Sequence, residues 1–232
     1  MYVEATQRMA AALGALAGRG LVFRDVNESL LAVLSVLARR DDDAGGMARS
    51  YLQAMQERRR LMDDASAKLA VLGEIAAAVG HADRTIVFTQ SIAAAEAAAA
   101  TLRRFNCRAE AMHSELLPGE RKALMQRFRD GQIEALAAPQ VLDEGVDVPE
   151  ADLAVVLGAS RSRRQMVQRM GRVLRRKADG RRARFVIVSV RETTEDPRQG
   201  AHESFLDEVL PVARRVRSRR FGEHDLAADL LP

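Results

Sequence analysis

The stretch Thr85-Ile86-Val87-Phe88-Thr89-Gln90 decides the fold. A short, continuous, β-branched apolar run bounded by polar residues is expected of a strand buried on both faces. The alanine-rich segment Ile92–Leu102 follows and reads as a helix. Arg108–His113 is a second strand, and Pro118–Arg129 a helix that ends near Gly131. Ile133–Ala137, Leu153–Leu157 and Phe185–Val190 are the third, fourth and fifth strands. Strands that alternate with helices over about 110 residues predict an α/β fold with a parallel sheet covered on both faces. In such sheets ligands gather beyond the carboxyl ends of the strands.

Upstream of the first strand the pattern is helical. Val3, Met9, Leu13 and Leu16 recur at roughly helical spacing before Gly18 and Gly20. Asp25-Val26-Asn27-Glu28 resembles a capping box ahead of Leu30, Leu31, Leu34 and Leu37. Asp41–Gly46 reads as an acidic, glycine-rich break, followed by one long helical stretch from Met47 to about Val79. Its methionines read as core filler. Downstream of Val190 an acidic, proline-bearing loop leads to a helix expected over about His202–Arg219. Three regions follow: a helical linker or extension over 1–80, an α/β lobe over 81–192, and a helical C-terminal segment over 193–232.

The 232 residues carry a net charge of +4, with 47% hydrophobic and 4% aromatic residues and no Trp. So few aromatics argue against base stacking as the main mode of nucleic-acid binding. Charge is concentrated: Arg161–Arg184 holds eleven basic residues and one acid, Asp179. Cys107 is the lone cysteine, which excludes an intrachain disulfide and fits a reducing, cytoplasmic setting. No apolar run approaches the length of a membrane span.

Two segments carry the chemistry. Asp143-Glu144-Gly145-Val146-Asp147 lies between the third and fourth strands. Gly145 permits a tight turn and close approach to a ligand, and Asp147 can accept from a ribose hydroxyl. Alone, such a segment is more often a plain turn. The second is Gln168-Arg169-Met170-Gly171-Arg172-Val173-Leu174-Arg175. Arg172 and Arg175 share one face of a helix. Paired guanidinium groups suit a triphosphate, because planar forked donors match its oxygens.

The order of these segments resembles the second, RecA-like lobe of superfamily 2 helicases and translocases. The stretch Ser162–Lys177 looks most like the XPB-type DNA helicases and their bacterial relatives, of DEAD/DEAH type. The resemblance spans about residues 80 to 190. It implies a RecA-like sheet and a role in ATP-dependent movement on nucleic acid. Thr89 and Gln90 would face the nucleic-acid backbone, joined by His113 and Gln140. Gly145, Asp147 and Gln168 would bind ATP, and Arg172 and Arg175 would be arginine fingers. A lone histidine such as His113 is as often a structural hydrogen-bonding residue. The family's usual threonine is Pro139 here, which offers neither hydroxyl nor N–H.

No phosphate-binding loop is present. The three lysines follow Ala67, Arg121 and Arg176, so no Gly-Lys-Ser/Thr exists. ATP and Mg²⁺ would be held mainly by an absent N-terminal RecA-like lobe, and no residue here is singled out as a metal ligand. The expectation is the C-terminal part of a longer motor, inactive alone. DNA is the expected track, with RNA as the alternative. A rival reading is a non-catalytic nucleic-acid-binding module of a larger complex.

Overall fold

The structure, a computed structural model, describes residues 1–21, 28–63, 66–139, 151–158, 183–202, 206–207, 209–222 and 225–231. The chain divides into two compact units, Met1–Asp64 and Ala65–Pro232.

The first unit holds α1 (Tyr2–Ala17), α2 (Glu28–Leu37) and α3 (Asp43–Asp63). Its core joins Met9, Ala12 and Leu16 to Leu30, Leu34, Tyr51 and Ala54. Arg8 pairs with Glu57, and Arg19 with Asp43, so α1 and α3 run antiparallel. The expected break at Asp41–Gly46 is instead the start of α3. The Asp42 carboxylate accepts from the Gly45 N–H at 2.8 Å, an N-terminal cap. A β-carbon at Gly45 would lie 2.0 Å from the Arg40 carbonyl oxygen, so only glycine fits this turn.

The second unit is the α/β lobe. Among the described residues, the long helix expected over 47–79 comprises α3, α4 (Ser66–Glu74) and α5 (Ala76–Gly80), with Ile75 interrupting the last two. The strands are β1 (Thr85–Thr89), β2 (Ala109–Ala111), β3 (Ala135–Pro139), β4 (Leu153–Val156) and β5 (Arg184–Ile187). They form one sheet in the order β2-β3-β1-β4-β5, and every pair is parallel. Between them run α6 (Ile92–Arg104) and α7 (Pro118–Arg129), and α8 (Leu226–Leu230) lies near the C-terminus.

Alternation along the strands builds two cores. Val87, Ala135, Ala137, Leu153 and Val155 face α4, α5 and α6 through Leu72, Ile75, Ala98 and Leu102. Ile86, Phe88, Leu136 and Val156 face α7 through Leu124, Met125 and Phe128. Both faces are therefore buried, which is why the strands read as continuous apolar runs.

The amino edge of the sheet is tied by charge. Buried Asp152 accepts from the Arg84 N–H at 3.2 Å and from Arg184 at 3.0 Å. Arg84 also donates to the Phe128 carbonyl at the end of α7, at 3.0 Å. These bonds are structural and lie opposite the strand ends where ligands gather.

The helix expected over about His202–Arg219 is shorter than expected: Leu206, Asp207 and Val209 are helical, and its C-terminal half is not. Leu210–Val212 is a single 3-10 turn, and no helix or strand covers residues 213–220. Pro211 lacks the N–H that a helix interior needs, and five arginines between Arg214 and Arg220 repel one another.

Candidate functional site at the carboxyl edge of the sheet

β1 occupies the middle of the sheet, with β3 on one side and β4 on the other. The chain leaves β1 toward β2 and leaves β4 toward β5, in opposite directions. The sheet therefore switches direction between the carboxyl ends of β1 and β4, where parallel α/β sheets hold their ligands. Thr89 pairs with Pro139 across this edge. Pro139 and Gly158 are the last described residues before 140–150 and 159–182. Gln140, Gly145, Asp147, Gln168, Arg172 and Arg175 lie outside the described residues.

The sequence reading puts Thr89 and Gln90 together on a nucleic-acid face. In the structure the two differ in exposure. Thr89 is buried, and its hydroxyl donates to the Ser91 carbonyl at 3.2 Å. Ser91 in turn caps α6, accepting from the Ala94 N–H at 3.2 Å. Thr89 thus shapes the turn from β1 into α6. Gln90 is half-buried, and its side chain lies against Gly158, two residues past the end of β4.

That contact depends on Gly158. A β-carbon there would lie 2.8 Å from Gln90 Cγ and 3.4 Å from a carboxylate oxygen of Glu195. Gly158 is a close-approach glycine, and the Gln90 amide lies over its backbone.

His113 follows β2, two strands from β1. Its Nε2 is 3.0 Å from a carboxylate oxygen of Glu96 on α6. Its Nδ1 is buried without a hydrogen-bond partner among the described residues. The strand order separates His113 from Gln90 by roughly 9–10 Å of sheet.

Three residues missed in the sequence complete this edge. Lys68 on α4 and Glu195, after β5, form an ion pair with side chains 3% and 5% exposed. Lys68 Nζ lies 2.7 and 2.8 Å from the two Glu195 oxygens. His202 is buried close to them. Burial, and then the Lys68 charge, push its pKa below the usual histidine range. Neither ring nitrogen has a hydrogen-bond partner among the described residues. No local signal marks these residues, because the pair closes a gap of 127 residues.

The loop that carries Glu195 is tightly held. The Thr193 hydroxyl donates to the Val190 carbonyl at 2.7 Å and accepts from the Glu195 N–H at 3.2 Å. The Asp196 carboxylate accepts from the Glu192 and Arg198 N–H groups at 2.9 and 3.0 Å. Those two bonds hold its pKa below the usual carboxylate range. Glu192 and His202 adopt left-handed backbone angles, with φ of 59° and 61°. Such angles persist only where the surroundings hold them.

Among the described residues, no group of three His, Cys, Asp or Glu side chains could hold a metal ion. No described helix is long and apolar enough to cross a membrane.

The family model of the helicase conserved C-terminal domain matches residues 67–177. Over residues 67–177 the chain is thus similar to the C-terminal domain of helicases. The match runs from α4 through all the strands but β5, and includes residues 140–150 and 159–177 beyond Pro139 and Gly158. A DNA 3'-5' translocase XPB2 of Sulfurisphaera tokodaii is 52% identical over 58 residues, 25% of this chain and 13% of that protein. A DNA 3'-5' helicase XPB of Mycobacterium tuberculosis is 40% identical over 90 residues, 38% of this chain and 16% of that protein. The chain therefore spans only a small part of these relatives. In fold, the α/β lobe resembles the C-terminal domain of the DEAD-box protein Dbp5. That match has a TM-score of 0.52 and 21% identity, and it covers 62% of this chain and 82% of that one.

Proposed function

We propose that this lobe is the C-terminal half of an ATP-driven DNA translocase or helicase. One observation carries the reading. The strand order puts the exits of β3 and β4 on either side of β1, at the edge where ligands gather. The segments that leave those strands are the ones with Gly145, Asp147, Gln168, Arg172 and Arg175. With a second lobe supplying the phosphate loop and Mg²⁺, Asp147 and Gln168 would meet ATP. Arg172 and Arg175 would stabilise charge on the transferring phosphoryl group. Those arginines act only when two lobes close, which ties hydrolysis to movement along a strand.

Gln90 is our leading candidate on the described edge for contact with the nucleic-acid backbone, and His113 a more distant one. DNA is favoured because the XPB-like relatives are DNA enzymes by name. The helices before Ala65 would serve as a linker toward the first lobe.

The test uses this chain joined to its upstream lobe. DNA-stimulated ATP hydrolysis should fall by about 10³ or more in Arg175→Ala, with DNA affinity retained. Unchanged turnover in that variant would remove the finger assignment. The 232-residue chain by itself should not hydrolyse ATP. A binding module without catalysis is the second reading, favoured by the absence of Gly-Lys-Ser/Thr. Full DNA binding with no ATPase in the joined protein would select it.

A further inference from the structure

The segment Ala213–Gly222 belongs to neither core and to none of the motor segments. It contains Arg214, Arg215, Arg217, Arg219 and Arg220, and no acidic residue. No helix or strand covers residues 213–220, and all five arginines are exposed. An arginine run of this density is ordinarily a solvated surface, so its placement decides what it can do.

The arm is fastened to the lobe at its middle. Asp229 on α8 accepts from Arg219 Nε at 3.0 Å and also pairs with Arg217. Arg217 and Arg219, two residues apart, share this one carboxylate. Leu226 and Leu230 of α8 pack against the sheet core, which fixes the height of that carboxylate. Arg184 at the edge strand β5 donates to the Leu230 carbonyl, tying α8 to the sheet.

One carboxylate therefore serves two arginines, and positive charge is left over. Arg214 and Arg215 form no ion pair among the described residues. Phe221 stands at the end of the arm, 49% exposed, and Val216 within it is 63% exposed. The arm thus presents exposed guanidinium groups, anchored at Arg217 and Arg219, followed by an exposed ring.

We propose that this arm binds the phosphate backbone of single-stranded nucleic acid, as a second contact outside the motor motifs. Forked guanidinium donors match phosphate oxygens, and an exposed aromatic ring accepts a base whatever its identity. Without a helix over 213–220 the arm has no amphipathic helical face to insert into lipid, which favours nucleic acid over a membrane surface. The inference rests on the nucleic-acid reading above, but it concerns different residues and fails in a different way.

The experiment measures binding of the 232-residue chain to fluorescein-labelled oligothymidylate, by anisotropy, between about 50 and 200 mM salt. Arg214→Ser with Arg215→Ser leaves the Asp229 clamp in place. This double variant should lower the slope of log affinity against log salt by about 1.4, roughly 0.7 for each lost phosphate contact. A charge-matched control, Arg58→Ser with Arg59→Ser, should leave the slope unchanged. Circular dichroism confirms that both variants keep the fold.

An unchanged slope in the arm variant overturns the proposal, as does a chain that binds no oligothymidylate. Arm-dependent binding to phosphatidylserine vesicles, without arm-dependent DNA binding, overturns it in favour of a membrane surface. In the joined two-lobe protein, the arm variant should raise the KM for DNA and leave kcat intact. Failure of the motor reading would instead appear as no loss of kcat in Arg175→Ala.

Discussion

Lys68 and Glu195 close a buried ion pair, 2.7 Å from Nζ to the nearer carboxylate oxygen, at the carboxyl edge of the sheet. It joins α4, before the first strand, to the loop after the last one. Removing one partner strands a buried charge, so Lys68→Met should cost about 3–5 kcal/mol of folding stability. Replacing both, as Lys68→Met with Glu195→Leu, should recover most of that loss. Urea unfolding curves read both. A single variant that unfolds at the wild-type midpoint would contradict the buried pair.

Gly158 and Gln90 should be coupled. In Gly158→Ala the new methyl displaces the Gln90 side chain, because only 2.8 Å separates that position from Cγ. DNA affinity should then fall by as much as in Gln90→Ala, and adding Gly158→Ala to Gln90→Ala should cost nothing more. A double-mutant cycle with anisotropy measures this. Additive losses would show that Gly158 acts independently of Gln90.

Thr89 and Gln90 are neighbours with opposite expected phenotypes. Thr89→Val removes a buried hydroxyl that donates to Ser91. It should cost roughly 1 kcal/mol in stability and leave DNA affinity unchanged. Gln90→Ala should do the reverse. Thermal melts and binding on the same two proteins separate the roles, and a binding loss in Thr89→Val would place Thr89 on the nucleic-acid face beside Gln90.

His202 should make the lobe acid-sensitive. Its folded pKa is depressed by burial and by Lys68, so the folded state holds it neutral. The unfolded chain takes up the proton first, near pH 6.5, and from there stability falls as pH drops toward the folded pKa. Above that window the histidine contributes no pH dependence. Stability of the wild type should therefore be level at neutral pH and decline on mild acidification, and His202→Phe should remove the decline. A parallel decline in both proteins would assign it to other groups.

The fold was largely legible because burial on two faces leaves a local mark. Ile86, Val87 and Phe88 face two different cores, and both are apolar, so the strand reads as one run. Pro118 and Gly131 mark where α7 starts and stops for equally local reasons. Asp41–Gly46 misled because an N-terminal cap and a break share a composition. The choice lay with the Arg40 carbonyl that crowds Gly45. The arginine run 214–220 misled in the other direction, since helical spacing says nothing about mutual repulsion or about Pro211.

By itself the sequence determined the parallel α/β class, the approximate positions of the five strands and the helicase resemblance over about residues 80 to 190. These depend on residue type and short spacing, which a chain displays before it folds. Only the tertiary structure decided the strand order and the union of Lys68 with Glu195 across 127 residues. It also decided the burial of Thr89, the contact of Gln90 with Gly158, and the fastening of the basic arm to Asp229. Each of these pairs groups that are distant in sequence or separated by a sheet crossover. Their energies come from desolvation and close approach, which exist only once the two faces of the sheet are covered.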